Sequence, residues 1–513
     1  MAIKISGTTV IDDSRNVTDV ENVGDSDTVY YGSAANLSGV AGGAATFTAS
    51  GAISNGDPVI VNSNGTISVP SVSAVEPPTA GSATVFESST FDYLSSTFDR
   101  TNGKVVIAYQ DNSNSSYGTA IVGTVSGTSI SFGDPVVFNS ANSQYTDVVS
   151  IGNGKVVVVY RDDGNSYKGT AIVGTISGNS ITFGGESQFN SNAGNWNAVT
   201  YDSTNDKVVV AYTDTGNSSR GYAIVGTVSG TSISFGSEVQ FESGTSIEHS
   251  ATFDSSNGKV VIAYLDNSNS DKGTAVVGTV SGNSISFGTP VVFNNSTTEN
   301  VDVTFDSGNN KVVIAYTDNG NSWYGTAIVG TVSGTSISFG SESVFESASS
   351  SEISAVYDSY ADKVVITYRD EGNSSYGTVI AGTVSGTSIS FGSAVVYESA
   401  STDSQSASYD YWNQKVVIGY RDGGNSSYAT AIVTTASSTT LSTGNFVGLA
   451  AEAISNGATG SVTIAGGTNS SQSGLTTSSK LYANGDGTVS HNTSAVEAGI
   501  SVSSTEVIVK IHS

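Results

Sequence analysis

The apolar positions of this chain come in runs of five or six residues, and no segment carries a sustained helical period. Runs of this length are typical of β-strands. One of them, Lys-Val-Val-Ile-Ala-Tyr with small variations, occurs seven times, spaced once by 51 residues and then five times by 52. Such a period indicates a repeat architecture. The lysines that open the seven copies are Lys104, Lys155, Lys207, Lys259, Lys311, Lys363 and Lys415.

Each repeat is predicted to contain four strands. In the fourth repeat they are residues 250–254, 259–266, 273–280 and 284–293. The second strand is apolar on both faces, whereas a strand with one face in water alternates apolar and polar residues. Both faces must therefore be covered by neighbouring sheets. We predict an all-β, seven-bladed β-propeller of seven four-stranded repeats, with an open β-solenoid as the alternative.

Two features of the repeats bear on packing and closure. A phenylalanine recurs in the stretch Ser-Ile-Ser/Thr-Phe-Gly of six repeats, and we expect this column of phenylalanines to pack between blades. Residues 83–88 resemble a repeat end such as residues 343–347, so they could complete the last blade, although the seventh repeat carries a degenerate fourth strand of its own near residues 440–447. The phenylalanines are Phe132, Phe183, Phe235, Phe287, Phe339 and Phe391.

The repeats divide the chain into three regions. Residues 1–78 precede them, residues 79–447 hold them, and residues 448–513 follow. The two flanks echo each other, because Ala-Ile-Ser-Asn-Gly at residues 52–56 recurs at residues 453–457. We therefore predict small β modules at both ends of the propeller.

Two sets of loops should share one face of a propeller: those between strands two and three, and those that link one blade to the next. The turns on the other face are monotonous, reading Asn-Gly-Lys or Asp-Lys and Ser-Gly-Thr-Ser, whereas these two sets vary. One column in the linking loops reads Tyr93, Tyr145, Trp196, Glu248, Asn300, Glu352 and Ser404. The other loops add Tyr117, Lys168, Arg220, Lys272, Tyr324, Tyr376 and Tyr428, with Trp323 beside one of them.

Tyrosine and tryptophan bury a large area at a small entropic cost, which suits recognition of carbohydrate or protein. We take Tyr93, Tyr145, Trp196, Glu248 and Glu352 as candidate ligand-binding residues. The alternative is that such aromatics plug the channel mouth or pack on loop backbones. From the second loop set the candidates are Tyr117, Arg220, Trp323, Tyr324, Tyr376 and Tyr428.

The charge balance narrows the possible partners. The chain carries 45 acidic and 18 basic residues, for a net charge of −27. Nucleic acids and anionic membranes require a basic surface, so we expect neither as a partner. Cysteine is absent, which removes disulfides and thiolate chemistry. Neither a signal-like apolar segment in residues 1–25 nor a membrane-length apolar run is present, so we expect synthesis in a cytoplasm.

Polar motifs give little sign of catalysis. A turn Asp-x-Gly/Ser-Asn-Ser recurs in every repeat, where its aspartate can cap the turn. A Ca²⁺ site is the alternative, but it needs six to eight oxygens. We expect no cofactor and no other metal. The turn aspartates are Asp111, Asp162, Asp214, Asp266, Asp318, Asp370 and Asp422.

Arg161, Arg369 and Arg421 share one repeat position. They could hold a carboxylate, but each is followed by an aspartate, which favours local ion pairing. The three histidines, His249, His491 and His512, share no metal-ligand spacing. No nucleophile elbow, phosphate loop or zinc motif is present. We therefore expect a non-enzymatic protein, although Glu248 and Glu352 could meet in space as a carboxylate pair.

The ends of the chain resemble known proteins. The opening Lys4-Ile5-Ser6-Gly7-Thr8-Thr9-Val10-Ile11-Asp12-Asp13-Ser14-Arg15-Asn16 is similar to the N-termini of marine bacteriophage virion proteins, especially those of cyanophages. The tail, from Ile454-Ser455-Asn456-Gly457 through Gly485-Asp486-Gly487-Thr488 to Ala498-Gly499-Ile500, resembles a β module of their fibre-like proteins. The repeat itself also resembles marine-phage repeat proteins.

This resemblance implies a virion structural protein, assembled in the host cytoplasm: a fibre, spike or capsid decoration. The N-terminal region would contact other virion proteins, and the propeller would be displayed for host-surface or glycan recognition. A homo-oligomer is expected because phage fibres are usually oligomeric. A purely structural decoration and a glycan-active propeller enzyme are the alternatives.

Overall fold

The computed structural model describes residues 3–5, 8–11, 44–61, 66–69, 78–436, 446–455, 457–464, 467–473, 475, 480–483, 489–490 and 496–509. These residues form an all-β protein of antiparallel sheets with short 3₁₀ turns. The chain divides into two compact units. Residues 72–440 form one, and residues 1–71 together with 441–513 form the other.

Within the repeat unit, repeats 1 to 6 contribute the same series of strands, and repeat 7 contributes the first three. The second strands are Lys104–Asp111, Lys155–Asp162, Lys207–Asp214, Lys259–Asp266, Lys311–Asp318, Lys363–Asp370 and Lys415–Asp422. The third strands are Tyr117–Ser126, Lys168–Ser177, Arg220–Ser229, Lys272–Ser281, Tyr324–Ser333, Tyr376–Ser385 and Tyr428–Thr435. The short strands that follow are Ser129–Phe132, Ser180–Phe183, Ser232–Phe235, Ser284–Phe287, Ser336–Phe339 and Ser388–Phe391.

The fourth strand of one repeat runs on into the first strand of the next, where two separate strands were predicted. Six long strands of this kind follow the first strand of repeat 1. One residue in the left-handed region makes a bulge in each, so the chain leaves one sheet and enters the next without a loop. The first strand of repeat 1 is Phe91–Asp99, and the six long strands are Val136–Gly152, Ser187–Asp202, Val239–Asp254, Val291–Asp306, Ser343–Asp358 and Val395–Asp410.

A 3₁₀ turn joins the second strand to the third in repeats 1 to 6. Residues 423–427 form the corresponding turn in repeat 7. In repeats 1 and 3 to 6 the aspartate that ends the second strand accepts hydrogen bonds from backbone amides of the turn. The six 3₁₀ turns are Asn112–Asn114, Asp163–Asn165, Thr215–Asn217, Asn267–Asn269, Asn319–Asn321 and Glu371–Asn373.

The last repeat takes its outer strand from the chain ahead of the first repeat. The third strand of repeat 7 pairs with Thr84–Glu87 and with Thr79–Ala80. The prediction that residues 83–88 complete this sheet is therefore confirmed. The alternative fourth strand near residues 440–447 is wrong in its described part, because Phe446–Ala450 pairs with Pro58–Val61 in the other unit.

The core consists of the second and third strands, whose apolar residues are buried on both faces. Two residues before its end, each second strand carries a fully buried tyrosine, such as Tyr264. The predicted phenylalanine column packs against a phenylalanine of the preceding repeat, with ring centroids 5.2–5.8 Å apart. The glycine after each of the first five of these phenylalanines is also required, since a Cβ on Gly133, for example, would lie 1.9 Å from the backbone oxygen of Asn179 in the next repeat.

The unit made of both flanks contains two five-stranded sheets. The first joins Ala44–Thr48, Thr459–Thr463, Phe446–Ala450, Pro58–Val61 and Ile67–Ser68 in that order. The second joins Thr468–Asn469, Val507–Val509, Val496–Ser501, Lys480–Ala483 and Val489–Ser490. A separate hairpin is formed by Ile3–Ile5 and Thr8–Ile11.

The echoed flanking motifs contact each other directly. The amide of Ile53 donates to the carbonyl of Ile454 at 2.9 Å, and the amide of Ile454 donates back at 2.8 Å. Asn456 and the glycine turn at residues 485–488 lie outside the described residues. The two flanks therefore build one module together.

Candidate functional site

The two variable loop sets lie on the same face of the repeat unit, which we call the upper face. The amide of Ser143, where one repeat enters the next, donates to the carbonyl of Ser116 in the preceding loop at 3.1 Å. The same bond joins Ser350 to Trp323 at 3.0 Å. The prediction that these loops share a face is confirmed.

Seven residues of the linking segments form a series that we call the collar. Each occupies the left-handed region, with φ between 49° and 52°, at the bulge of its strand. A non-glycine residue in this region is strained, and such strain often marks a functional position. The collar consists of Tyr93, Tyr145, Trp196, Glu248, Asn300, Glu352 and Ser404.

Three aromatic residues form one side of the collar. The ring centroids of Tyr93 and Tyr145 are 5.1 Å apart, and those of Tyr145 and Trp196 are also 5.1 Å apart. The rings are tilted by about 50° to one another and stay partly exposed. Three neighbouring repeats thus present one continuous aromatic surface.

The other side of the collar is polar, and each side chain reaches the next repeat. Glu248 Oε2 accepts from the amide of Asn300 at 2.6 Å, and Asn300 Oδ1 accepts from the amide of Glu352 at 3.1 Å. Glu352 Oε2 then accepts from the amide of Ser404 at 2.9 Å. The carboxylates are therefore parts of an inter-repeat ladder, and Asn300 separates the two glutamates that the sequence left open as a pair.

Burial perturbs both glutamates. It raises the pKa of Glu248 to about 7, with the nearby Glu299 and Glu352 adding to the rise and the Asn300 amide opposing it. Burial also raises the pKa of Glu352, although Arg369 and Arg421 oppose the change. Near neutral pH, Glu248 can therefore hold a proton.

Arg161 extends the aromatic side outward. Its guanidinium carbon lies 5.1 Å from the centroid of the Tyr145 ring and 5.3 Å from that of Tyr167. Both distances suit cation–π attraction. The guanidinium also pairs with Asp163 at 2.7 Å and donates to Asn195 at 3.0 Å. Tyr145, Arg161 and Tyr167 thus form one cluster, which with Tyr93 and Trp196 we call the aromatic site.

Tyr167 was missed in the sequence. It is 53% exposed, in the left-handed region at φ 65°, at a position where most other repeats carry serine. Its aromatic character in a column that is serine in four of the seven repeats was the available signal. Trp323 occupies the same position in repeat 5 and is 51% exposed.

The two other arginines form ion pairs with collar neighbours rather than with the aspartates that follow them. Arg369 pairs with Asp403, and Arg421 pairs with Asp92. The expectation of local ion pairing is therefore wrong for these two arginines, because the adjacent Asp370 and Asp422 accept hydrogen bonds from turn amides. The arginines therefore connect one repeat to the next.

The candidates in the second loop set open the third strands and are half buried. Within the described part of the chain, their rings make no contact with the collar rings. They are therefore separate residues on the upper face and do not form one site with the collar. They are Tyr117, Arg220, Tyr324, Tyr376 and Tyr428, together with Lys168 and Lys272.

A second ring of polar residues lies two positions beyond the collar and was also missed. Asp147 accepts from Ser95 Oγ at 2.6 Å and from the amide of Val199 at 2.7 Å. Asp302 accepts from Ser250 Oγ at 2.6 Å in the same way. Burial raises the pKa of Asp147 to about 6. Since these bonds join successive repeats, both aspartates have a structural role.

The turn aspartates supported no metal site. Asp266, for example, accepts from the amides of Ser268 and Asn269, both at 3.1 Å. No group of three or more potential ligands that could hold a metal occurs among the described residues. His249 is buried, with its ring nitrogens 2.9 Å from the Trp196 carbonyl and 3.0 Å from Ser246 Oγ; His491 and His512 lie outside the described residues.

The opposite face, which we call the lower face, carries the turns between first and second strands. The expectation that it is monotonous is wrong, because Arg100, Tyr360, Tyr411 and Trp412 interrupt a series of small residues there. All four are exposed, and Trp412 is 61% exposed. No helix among the described residues is long and apolar enough to cross a membrane.

No protein-family model and no curated protein matches this sequence. Among solved structures, the chain is similar to the BP39L lectin from Burkholderia pseudomallei, with a TM-score of 0.51 and 8% identity, over 69% of this chain and 98% of the lectin. It also matches the NanB sialidase from Streptococcus pneumoniae (TM-score 0.41, 10% identity, 68% of this chain and 69% of that one). A leech trans-sialidase matches with a TM-score of 0.39 and 10% identity, over 68% of each chain.

The similarity to the lectin concerns the fold alone at this identity, and the two sialidase matches are too remote to carry an argument. The fold is all-β and antiparallel, and the matched lectin is β-propeller-like.

Proposed function

We propose that the seven repeats form a closed seven-bladed β-propeller. The pairing of repeat 7 with residues 84–87 supports closure. So does the ion pair between Arg421 and Asp92, which joins the last repeat to the first. Gly81 adds a third argument, because a Cβ there would lie 2.0 Å from the backbone oxygen of Thr128 in repeat 1. Later glycines such as Gly133 make the same close approach to a turn of the next repeat, so repeat 1 packs on residue 81 as one repeat packs on another.

We propose further that this propeller binds glycans at the aromatic site. The observation that carries the proposal is the continuous surface of Tyr93, Tyr145 and Trp196, which repeats 1 to 3 present and the other repeats do not. Aromatic faces pack against the C–H faces of sugar rings, since both are apolar and flat. BP39L, whose fold is similar, is a lectin, which agrees with such a role.

The polar groups around the aromatic site would orient a sugar. Arg161 holds its guanidinium between Tyr145 and Tyr167, and Asn195 and Gln144 accept from it. Fixed donors and acceptors of this kind supply specificity in a largely apolar site. The exposed Tyr167 would close over one side of the ligand.

The test compares two substitutions at one repeat position. Tyr167→Ser and Trp323→Ser both introduce the residue that most repeats carry there, so neither should disturb the scaffold. A glycan array on the full chain selects a ligand, and calorimetry then measures its affinity. We expect Tyr167→Ser to weaken binding by roughly tenfold, about 1.4 kcal/mol, and Trp323→Ser to leave it unchanged. Equal affinities for both variants and the unmodified chain would reject the aromatic site.

We propose that binding occurs without turnover. The alternative, a glycan-active enzyme, has one observation in its favour: the raised pKa of Glu248, which acid catalysis would require. Mass spectrometry of the bound glycans after incubation distinguishes the two, because an enzyme would release shorter products.

We propose, on the resemblance of the chain's ends to marine phage proteins, that the protein is a virion component whose N-terminal region contacts other virion proteins and whose propeller meets the host surface. Immunogold labelling of purified particles, from a culture whose genome encodes this chain, tests the location. Labelling absent from intact particles would contradict a virion role and leave the glycan-binding proposal standing.

A further inference from the structure

The lower face departs from the repeat pattern at one place. In every repeat but the second, an aspartate ends the first strand, and the residue after it is serine in repeats 3 to 6, at Ser203, Ser255, Ser307 and Ser359. In repeat 1 it is Arg100, and in repeat 7 it is Tyr411. The scaffold therefore needs only a small residue at this position, and the two exceptions lie in the repeats that the Arg421–Asp92 ion pair joins.

The two exceptional residues contact each other. The guanidinium carbon of Arg100 lies 3.3 Å from the centroid of the Tyr411 ring, a close cation–π stack. Tyr411 is in turn held edge-on by Tyr409, with centroids 4.5 Å apart. The ring is thus fixed, and it fixes the plane of the guanidinium.

A cavity of about 350 Å³ opens beside this stack. Arg100 and Tyr411 line one part of it, and Thr252, Thr304, Val356 and Tyr357 line another. Its volume falls within the range of small-ligand sites, which is roughly 300 to 1,000 Å³. Five repeats contribute to its walls, so the cavity exists only in the assembled repeat unit.

The charge around the cavity is unusual for so acidic a chain. No carboxylate lines it among the described residues, and within the described part of the chain the Arg100 guanidinium makes no ion pair or hydrogen bond. Two neighbouring carboxylates have other partners: Asp99 accepts from the amides of Thr101 and Asn102, and Asp362 accepts from the hydroxyl of the cavity-lining Tyr357 at 2.7 Å. The five N–H donors of Arg100 are therefore available to a ligand.

We propose that this cavity is a second binding site, for a sugar that carries an oxyanion, and in the first place a uronic acid. A planar guanidinium held by a ring can donate two parallel hydrogen bonds to a carboxylate. The threonine hydroxyls and the Tyr411 ring suit the hydroxyls and the apolar face of a sugar. The site lies on the face opposite the aromatic site and does not depend on the function proposed for it.

The experiment measures binding of tetragalacturonate to the full chain by calorimetry, with neutral maltotetraose and a sulfated carrageenan tetrasaccharide as comparisons. We expect tetragalacturonate to bind at least about tenfold more tightly than maltotetraose. Preference for the sulfated sugar over the uronate would overturn the uronic acid assignment. Equal binding of the neutral sugar, or no binding of either anionic sugar, would overturn the site.

Variants locate the binding. Arg100→Ser and Tyr411→Ser restore the residue of the other repeats, so both should fold, and we expect each to reduce affinity by about tenfold or more. Lys207→Ala removes an equal charge from the turn of repeat 3, away from the cavity, and should have no effect. Tyr167→Ser separates the two sites, because weaker tetragalacturonate binding in that variant would place the uronate at the aromatic site and overturn the proposal. Unchanged affinity in Arg100→Ser would refute the proposal.

Discussion

Replacing Glu248 with glutamine should stabilise the protein, and the gain should depend on pH. The carboxylate lies in the collar, where burial raises its pKa to about 7 from an ordinary value of 4.5. Glutamine is neutral at every pH, and its carbonyl oxygen can still accept from the amide of Asn300, as Glu248 Oε2 does at 2.6 Å. The substitution therefore removes a buried charge and keeps the inter-repeat bond.

The sign follows from proton binding. Between pH 4.5 and about 7 the folded chain holds this proton and the unfolded chain does not. The free energy of unfolding therefore falls as the pH rises through this window and is level above it. A pKa rise of this size corresponds to about 3 kcal/mol, and solvent screening of the partly exposed side chain reduces that to about 1–2 kcal/mol.

Urea denaturation followed by tryptophan fluorescence at about pH 5 and pH 8 measures the effect. We expect the free energy of unfolding of Glu248→Gln to exceed that of the unmodified chain by about 1–2 kcal/mol at pH 8 and to match it near pH 5. Burial lowers the pKa of His249 to about 4, which costs stability in acid, but comparing both proteins at the same pH cancels this contribution.

Glu352→Gln is the matched control. Burial also raises the pKa of Glu352, but two arginines oppose the rise. We therefore expect a smaller gain in the free energy of unfolding, of the same sign. A Glu248→Gln variant that is less stable at pH 8, or equally stabilised at both pH values, would refute the reasoning.

Two further predictions concern the packing between repeats and the buried hydroxyls. Gly236→Ala should lower the free energy of unfolding by about 2 kcal/mol, because its Cβ would lie 1.9 Å from a backbone oxygen of the next repeat. Gly185→Ala is the control and should be neutral, because nothing lies within 4 Å of its added Cβ. Scanning calorimetry compares the two variants, and equal melting temperatures for Gly236→Ala and Gly185→Ala would contradict the packing argument. Tyr212→Phe should cost about 1 kcal/mol, since its hydroxyl donates to Glu238 at 2.6 Å. Tyr109→Phe should cost nothing because that buried hydroxyl has no hydrogen-bond partner among the described residues, and a larger loss there than at Tyr212 would contradict this reasoning.

The predictions made from the repeat pattern were most accurate where the physics is local or periodic. Strand positions follow from apolar runs, and the face shared by the variable loops follows from connectivity. The collar column Tyr93, Tyr145 and Trp196 was identified by counting residues. What counting did not reveal is that Tyr167 and Arg161 join this column, because their approach depends on how neighbouring sheets are angled.

The lower face gives a second example of a contact that the repeat pattern could not reveal. Its turns looked uniform because the lysine and glycine columns that define them are uniform. Arg100 and Tyr411 are 311 residues apart in the chain. Their contact arises only because the last repeat packs against the first, as the hydrogen bond from the Ser96 amide to Ser406 Oγ also shows.

The sequence alone determined the repeat, its four strands and the residue types on each face, because a period of 52 residues and apolar runs of strand length leave few other arrangements. Tertiary structure decided which of those residues meet. It made Glu248 and Glu352 rungs of a hydrogen-bonded ladder and brought Tyr145, Arg161 and Tyr167 together. The physical reason is that contacts between repeats depend on the angle and closure of whole sheets, which no single repeat encodes.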